Sequence, residues 1–469
     1  MLAAMPQLPS AASRDEPVIR ERGDACPGAL RLHAADDGYL ARVRIPGGLL
    51  DGPAALLLAG AADRLGDGHL DLTSRGNVQL RGLGAGCGGE LAAVLERAGL
   101  LPAPTHERVR NIVASPLTGL DRRGLPDVAP WVPELDRLLC ASAAAAGLSG
   151  RFLFALDDGR GDVTRLDADV NLAALDAGRA LLWTGGAREA LLVAAADAPR
   201  AALAAAAHFL DAVRDAGTRA WRVSELPAEH ALSAAESGSR LAAAGIRAEV
   251  VAAPPAGTGL PPEPGTVAGP DAGPGAPVAL SVLAPLGRLT TAQWRHLAGL
   301  TGRIRLTPWR GIVVVGVPAH EAGAALAGLA GAGLVTAPDD PWRSVTACTG
   351  RPGCAKALAD VRTDARAVVH AARGPLPVHW SGCERRCGHP RGSAWVDALA
   401  TGHGTYALSL DGRPLPPRAG LAEALAAARS TPPDPPAPAD PAAPADPATP
   451  AAPAAPAPAV AVSADAVKK

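Results

Sequence analysis

A strand, a helix and a second strand bearing Leu-Thr and Arg-Gly occur twice in this 469-residue chain, and this repetition limits its fold more than any other feature. In the first copy an apolar strand from Leu40 to Ile45 leads through a helical stretch, Gly52 to Leu65, into Leu72-Thr73-Ser74-Arg75-Gly76-Asn77-Val78-Gln79-Leu80. In the second, Val278 to Leu283 leads through Thr290 to Leu300 into Leu306-Thr307-Pro308-Trp309-Arg310-Gly311-Ile312-Val313-Val314. Strand and helix periodicities of the apolar residues assign the elements, and self-similarity at this scale marks a duplicated unit.

The two copies are separated by long α/β sequence and by a segment at 253–275 dense in proline and glycine, which reads as an exposed linker. From 431 to 469 the chain is Pro, Ala and Asp, a composition that cannot bury enough apolar surface to offset ordering, so a disordered tail is expected. With 48% hydrophobic residues the chain can build two or three cores. Its net charge of -1 provides no global field for nucleic acid. The Ala-rich stretch from Ala190 to Leu210 is broken by Asp197 and Arg200, short of the roughly 20 uncharged residues of a membrane span. The N-terminal residues run through Pro6, Pro9 and Arg14-Asp-Glu without an apolar core, so a cytoplasmic protein without membrane attachment is expected.

Four cysteines carry the chemistry: Cys348 and Cys354, then Cys383 and Cys387, each pair set in a Gly-rich turn (Cys348-Thr-Gly-Arg-Pro-Gly-Cys354 and Ser381-Gly-Cys383-Glu-Arg-Arg-Cys387-Gly). Glycine lets backbone wrap closely around a compact body and aim thiolates at it. The wide first spacing argues against structural zinc, and a reducing cytosol argues against disulfides, so a 4Fe-4S cluster is the expectation. Ala355 to Ala372 has the apolar spacing of an amphipathic helix, which would put Cys354 at a helix N-terminus. Val378-His379-Trp380 reads as a strand delivering Cys383 and Cys387. Cys26, Cys87 and Cys140 are scattered and read as small buried hydrophobes.

Taken as one strand, the segment after Leu72 places Arg75, Asn77, Gln79 and Arg81 on one face, either a solvated outer face or a binding surface. His69-Leu-Asp71 has the spacing of part of a two-histidine-one-carboxylate iron site, but as a lone match it reads as chance. His389 is expected to support the cluster through a hydrogen bond rather than to bind metal.

The cysteine spacing and the duplication resemble the nitrite and sulfite reductase superfamily, over a span from about Cys26 to about Leu415 without the linker. The narrower resemblance is to its precorrin-3B synthase branch. It rests on Cys26-Pro-Gly-Ala-Leu-Arg, on Asp37-Gly-Tyr-Leu-Ala-Arg-Val-Arg-Ile-Pro-Gly-Gly and on Leu72-Thr-Ser-Arg-Gly-Asn-Val-Gln-Leu-Arg81. The fold it implies is α+β with mixed sheets and a duplicated arrangement. An extension (1–23) precedes a ferredoxin-like half domain (24–100) and an α/β domain (101–252); after the linker come a second half domain (276–336) and the cluster-binding domain (337–430).

The same resemblance implies catalytic roles for Arg75, Arg110 and Arg151, and substrate contacts from Arg75, Asn77, Gln79, Arg81, Arg110, Asn111, Arg151 and Arg310. Bidentate arginines suit a tetrapyrrole fringed with carboxylates, here precorrin-3A. Within Arg151-Phe152-Leu153-Phe154, Leu153 stands where sulfite reductases carry a second basic residue, which puts reduction of a small oxyanion in doubt. The implied reaction is a monooxygenation by dioxygen, with Cys348, Cys354, Cys383 and Cys387 holding the cluster and a second iron centre, non-haem iron or sirohaem, held elsewhere. No dinucleotide fingerprint is present, so a separate NAD(P)H-linked electron donor is implied. The alternative is a sirohaem-dependent assimilatory sulfite or nitrite reductase.

Overall fold

The computed structural model describes residues 26–271, 275–390, 394–416 and 420–430. The Pro/Ala/Asp tail expected to be disordered lies outside the described residues.

The two repeated units fold as halves of one body. In the first, Gly38–Val43 pairs with Val78–Leu83, which pairs with His69–Leu72. In the second, Pro277–Leu283 pairs with Gly311–Pro318, which pairs with Arg303–Leu306. Neither sheet is complete alone. The short strand Leu49–Asp51 of the first half adds to Arg303–Leu306 of the second, and Arg288–Thr290 of the second adds to His69–Leu72 of the first. The exchange puts Leu50 opposite Ile304 and Leu289 opposite Leu70, all four buried.

Each exchanged strand ends in a helix cap. The Asp51 carboxylate accepts from Ala54 N at 2.8 Å and starts helix Gly52–Leu65, with Pro53 in the first turn. Thr290 and Gln293 form a reciprocal capping box at helix Thr291–Thr301, and Gly302 ends it in the left-handed conformation. The two helices face each other across a shared core, where Trp294 Nε1 donates to Ala55 O at 2.8 Å and Leu58, Ala59 and Leu297 are buried.

The Leu72-to-Leu80 segment is not one strand. It is the end of His69–Leu72, a tight turn, and the start of Val78–Leu83. Thr73 makes the turn: its Oγ1 accepts from Arg75 N and Asn77 N at 3.3 and 3.1 Å, and its own N donates to Asn77 O at 2.9 Å. Thr307 repeats this in the second half, accepting from Trp309 N and Gly311 N at 3.3 and 3.0 Å and donating to Gly311 O at 2.9 Å. Matched by these bonds, Trp309 occupies the place of Arg75, and Arg310 occupies that of Gly76. Gly76 has φ 65° and Arg310 has φ 62°, so an arginine holds a left-handed position that suits glycine.

The region after the first half is a six-stranded mixed sheet in the order Ala248–Ala252, Glu189–Ala194, Arg179–Thr184, Val170–Ala174, Phe154–Asp157, Ile112–Ala114. Helices Trp131–Ala141, Ala198–Asp215 and Ala234–Ala243 cover it; the second buries its alanine face and Phe209. The cysteine-bearing region is a five-stranded sheet, Val345–Ala347, Val378–Ser381, Val396–Gly402, Thr405–Leu410 and Arg413–Pro414, the first three parallel. Between the halves the Pro/Gly segment contributes Gly265–Val267 as an edge strand on Pro277–Leu283. No described helix is long and apolar enough to cross a membrane.

Candidate functional site

Parallel pairing delivers two of the four cysteines together. Ala347 lies opposite Trp380, so the next residues, Cys348 and then Gly382-Cys383, leave neighbouring strands at the same end. Cys348 N donates to Trp380 O at 2.9 Å, and Gly382 N donates to the Cys348 sulfur at 3.2 Å. Burial pushes the Cys348 thiol above its ordinary value, the N–H groups of Gly382 and Gly350 oppose that, and the nearby Cys387 and Cys383 add to it. Cys383 and Cys387 are thus each within electrostatic reach of Cys348.

Cys354 lies on the loop that returns from Cys348, and its position corrects the helix expectation. The helix begins at Val361, capped by Asp360, whose side chain accepts from Thr363 N at 3.2 Å. The residues before it bond sideways instead: Leu358 N to Gly382 O at 2.8 Å, Arg351 N to Ala359 O at 3.0 Å and Arg351 Nε to Ala357 O at 2.7 Å. Cys354 is therefore in a turn, beyond the reach of a helix dipole. The loop is anchored to the first half domain, where Arg81 donates to Gly353 O at 2.9 Å and Asp36 accepts from Ala355 N at 2.5 Å.

The donor set fits an iron–sulfur cluster: soft thiols, backbone N–H groups aimed at sulfur, and glycines where the loops pack most closely. A Cβ on Gly382 would lie 2.7 Å from that of Ala357. Among the described residues no three His, Cys, Asp or Glu side chains converge as they would on a single metal ion. Nor do His69 and Asp71 fit a second iron. His69 Nδ1 bonds Asp67 O at 2.8 Å, and the two Asp71 oxygens are taken by Arg288 and Arg362, each at 3.1 Å. His389 stacks on Trp395 with ring centroids 5.5 Å apart and bonds Pro390 O through Nδ1 at 2.8 Å.

Four residues of the expected substrate set are committed to the protein itself. Arg81 forks onto Asp37, both bonds 2.8 Å, besides holding Gly353. Arg110 forks onto Asp136 at 2.7 and 2.6 Å and gives a third bond to Leu100 O at 2.7 Å. Asn77 accepts from Ile45 N and donates to Asn111 Oδ1, and Asn111 donates to Phe152 O. All four are buried. The hairpin explains much of this: the one-strand reading put Arg75 and Arg81 on a common face, whereas Arg75 is in the turn and Arg81 is beside the cysteine loop.

The remaining members keep capacity for a ligand. Arg75 has one long bond, 3.4 Å to Gly150 O, and its ionisation is pushed down to about 10 by burial and by Arg222, with Arg42 adding to this against Asp169 and Cys26. Gln79 lies opposite Arg42 and accepts from it at 3.3 Å. Arg151 is 39% exposed, lies over the Trp221 ring at 5.5 Å and faces Glu225 at 3.6 Å. Arg42 and Trp221 were not in the expected set; the Gln79 pairing register would have found Arg42, whereas Trp221 comes from a distant loop, next to Arg222, which is buried and committed to Asp169 at 2.6 Å. Arg310 lies apart from this group, its terminal nitrogen against Gly388 of the second cysteine loop. Leu153 is buried with Val113, Ala155, Val163 and Ala168 against Trp309, so its place is closed and apolar.

Residues 33–96 and 273–332 match the family described as nitrite/sulfite reductase ferredoxin-like half domain. The chain carries the duplicated architecture of the nitrite/sulfite reductase superfamily. The solved structure of the Mycobacterium tuberculosis NirA protein shares its fold at a TM-score of 0.60 and 21% identity, over 83% of this chain and 79% of that one. Among superfamily members, the precorrin-3B synthase of a Sinorhizobium species is 29% identical over 394 residues, 80% of each chain. The ferredoxin–nitrite reductase of Synechococcus elongatus is 28% identical over 402 residues, 75% of this chain and 74% of its own.

Proposed function

We propose that the protein is a precorrin-3B synthase-type monooxygenase. The observation that carries this reading is the similarity to a precorrin-3B synthase along 80% of both chains. In the reaction one atom of dioxygen becomes a hydroxyl on a ring carbon of precorrin-3A, with a lactone closed from a ring acetate. The other atom leaves as water, using two electrons and two protons from a donor of the NAD(P)H-linked class. A cluster on Cys348, Cys354, Cys383 and Cys387 would supply single electrons.

The chain's own residues bind and orient the ring. Arg75 and Arg151, with Arg42 beside them, present guanidinium groups to its carboxylates, and Gln79 adds an amide. Trp221 offers an aromatic face next to Arg151. Leu153 supports a large organic substrate by elimination, since a second cation for a small, highly charged oxyanion is missing from a closed apolar place.

Arg75→Ala is expected to lower turnover of precorrin-3A at least tenfold through KM while leaving iron content unchanged. The sirohaem-dependent nitrite reductase reading is favoured by the 28% identity to a ferredoxin–nitrite reductase, and is tested by the same preparation: ammonia from nitrite, together with sirohaem absorption bands, would replace the monooxygenase reading with it.

A further inference from the structure

Arg310 is strained, half-buried and without an ion pair among the described residues, although it occupies a place where the first half domain uses glycine. Its backbone φ is 62°, a conformation an L-residue adopts at a cost. Its aliphatic stem lies over Gly287, where a Cβ would be 2.6 Å from Arg310 Cδ. Its terminal nitrogen reaches Gly388, the residue after Cys387: a Cβ there would lie 3.4 Å from Nη2, and Gly388 itself has φ 84°. Both ends of the side chain are thus steered by glycines toward the second cysteine loop.

A second cation approaches the first cysteine loop. Arg362, on helix Val361–Val368, donates to Cys348 O at 3.3 Å and to Asp71 at 3.1 Å. Asp71 is the acid nearest both arginines in charge terms, and its oxygens are already taken by Arg288 and Arg362. Two arginines thus approach the cysteine loops, while the one acid that faces them, Asp71, is already shared. A guanidinium kept from water without an anion is unfavourable, so the arrangement calls for an anion between the loops.

We propose that Arg310 is a positioning residue for the 4Fe-4S cluster, a cation held against the Cys387 loop that sets the cluster's reduction potential, rather than a contact of the tetrapyrrole. Arg362 is its counterpart on the Cys348 loop. The inference rests on the cluster part of the reading above. A fixed positive charge beside the cluster stabilises its reduced form, so removing it lowers the potential.

The test is a redox titration of the anaerobically purified holoenzyme, followed by electron paramagnetic resonance, for wild type, Arg310→Gly and Arg310→Lys. Glycine suits the left-handed backbone, so Arg310→Gly is expected to fold and to keep its iron. At a fixed potential near the midpoint its oxidised-to-reduced ratio rises about tenfold, which for one electron is a fall of about 59 mV. Arg310→Lys restores most of the wild-type value. An unchanged potential in Arg310→Gly, with or without a raised KM for precorrin-3A, would overturn the proposal. A wild-type protein with no four-iron signal would instead overturn the cluster reading beneath it.

Discussion

Asp162 is the residue whose environment makes the clearest demand on pH. It is buried, its Oδ1 accepts from Ser115 Oγ at 2.6 Å, and its Oδ2 has no partner among the described residues. Burial, opposed by the Ser115 bond and reinforced by Asp157, raises its ionisation from 3.8 to about 7. Between those values the folded chain holds a proton that the unfolded chain has released. Its contribution is therefore full below about pH 4 and lost as pH rises to about 7, on the order of 4 kcal/mol. Asp162→Asn keeps an acceptor for Ser115 and has no charge to bury. Its urea midpoint should exceed wild type at pH 8 and approach it near pH 4; equal midpoints at pH 8 would show that Asp162 ionises without penalty. For the cysteines, Cys348→Ser, Cys354→Ser, Cys383→Ser or Cys387→Ser should each lose most of the iron and sulfide, while Cys87→Ser and Cys140→Ser change neither. Four irons per chain retained in any of the first group would remove that residue from the ligand set.

At the scale of elements, the last described helix, Leu421–Ser430, is fastened by one side chain. Arg429 is buried and donates to Leu376 O, Ala372 O and Gly374 O at 2.8, 2.5 and 2.9 Å, and to Ser344 Oγ at 2.5 Å. Arg429→Ala would strand the buried Ala372 carbonyl and two partly buried ones, and is expected to cost about 3 kcal/mol. Ending the chain after Ser430 should leave melting temperature and activity as they are, and a drop in either would mean that the tail docks on the body. Element existence was well legible: Gly52–Leu65 is the expected helix, and Val378–Ser381 the expected strand. Turn chemistry was not. The Thr73 and Thr307 turns hide inside apolar, alternating sequence, because threonine side-chain bonds to the backbone leave no periodic trace. That one miss put Arg75 on a strand face it does not occupy and aligned Arg310 with Arg75 instead of with Gly76.

At the scale of the molecule, the duplication was readable because both copies keep their apolar strands and capped helices. The strand exchange between halves was not, since Leu49–Asp51 and Arg288–Thr290 are three-residue strands. Nor does sequence distinguish an arginine that meets a ligand from one that holds the fold: Arg110 and Arg81 found acids distant in the chain, Asp136 and Asp37. Arg110→Ala should accordingly lower the melting temperature, whereas Arg75→Ala should act on turnover alone. The central claim is that this architecture oxygenates a tetrapyrrole. It is tested most directly by mass spectrometry of the product formed from precorrin-3A, an electron donor and oxygen-18 dioxygen. The account predicts a hydroxylated product carrying one labelled oxygen atom; an unlabelled, unmodified ring, with ammonia or sulfide formed from nitrite or sulfite by the same preparation, would contradict it.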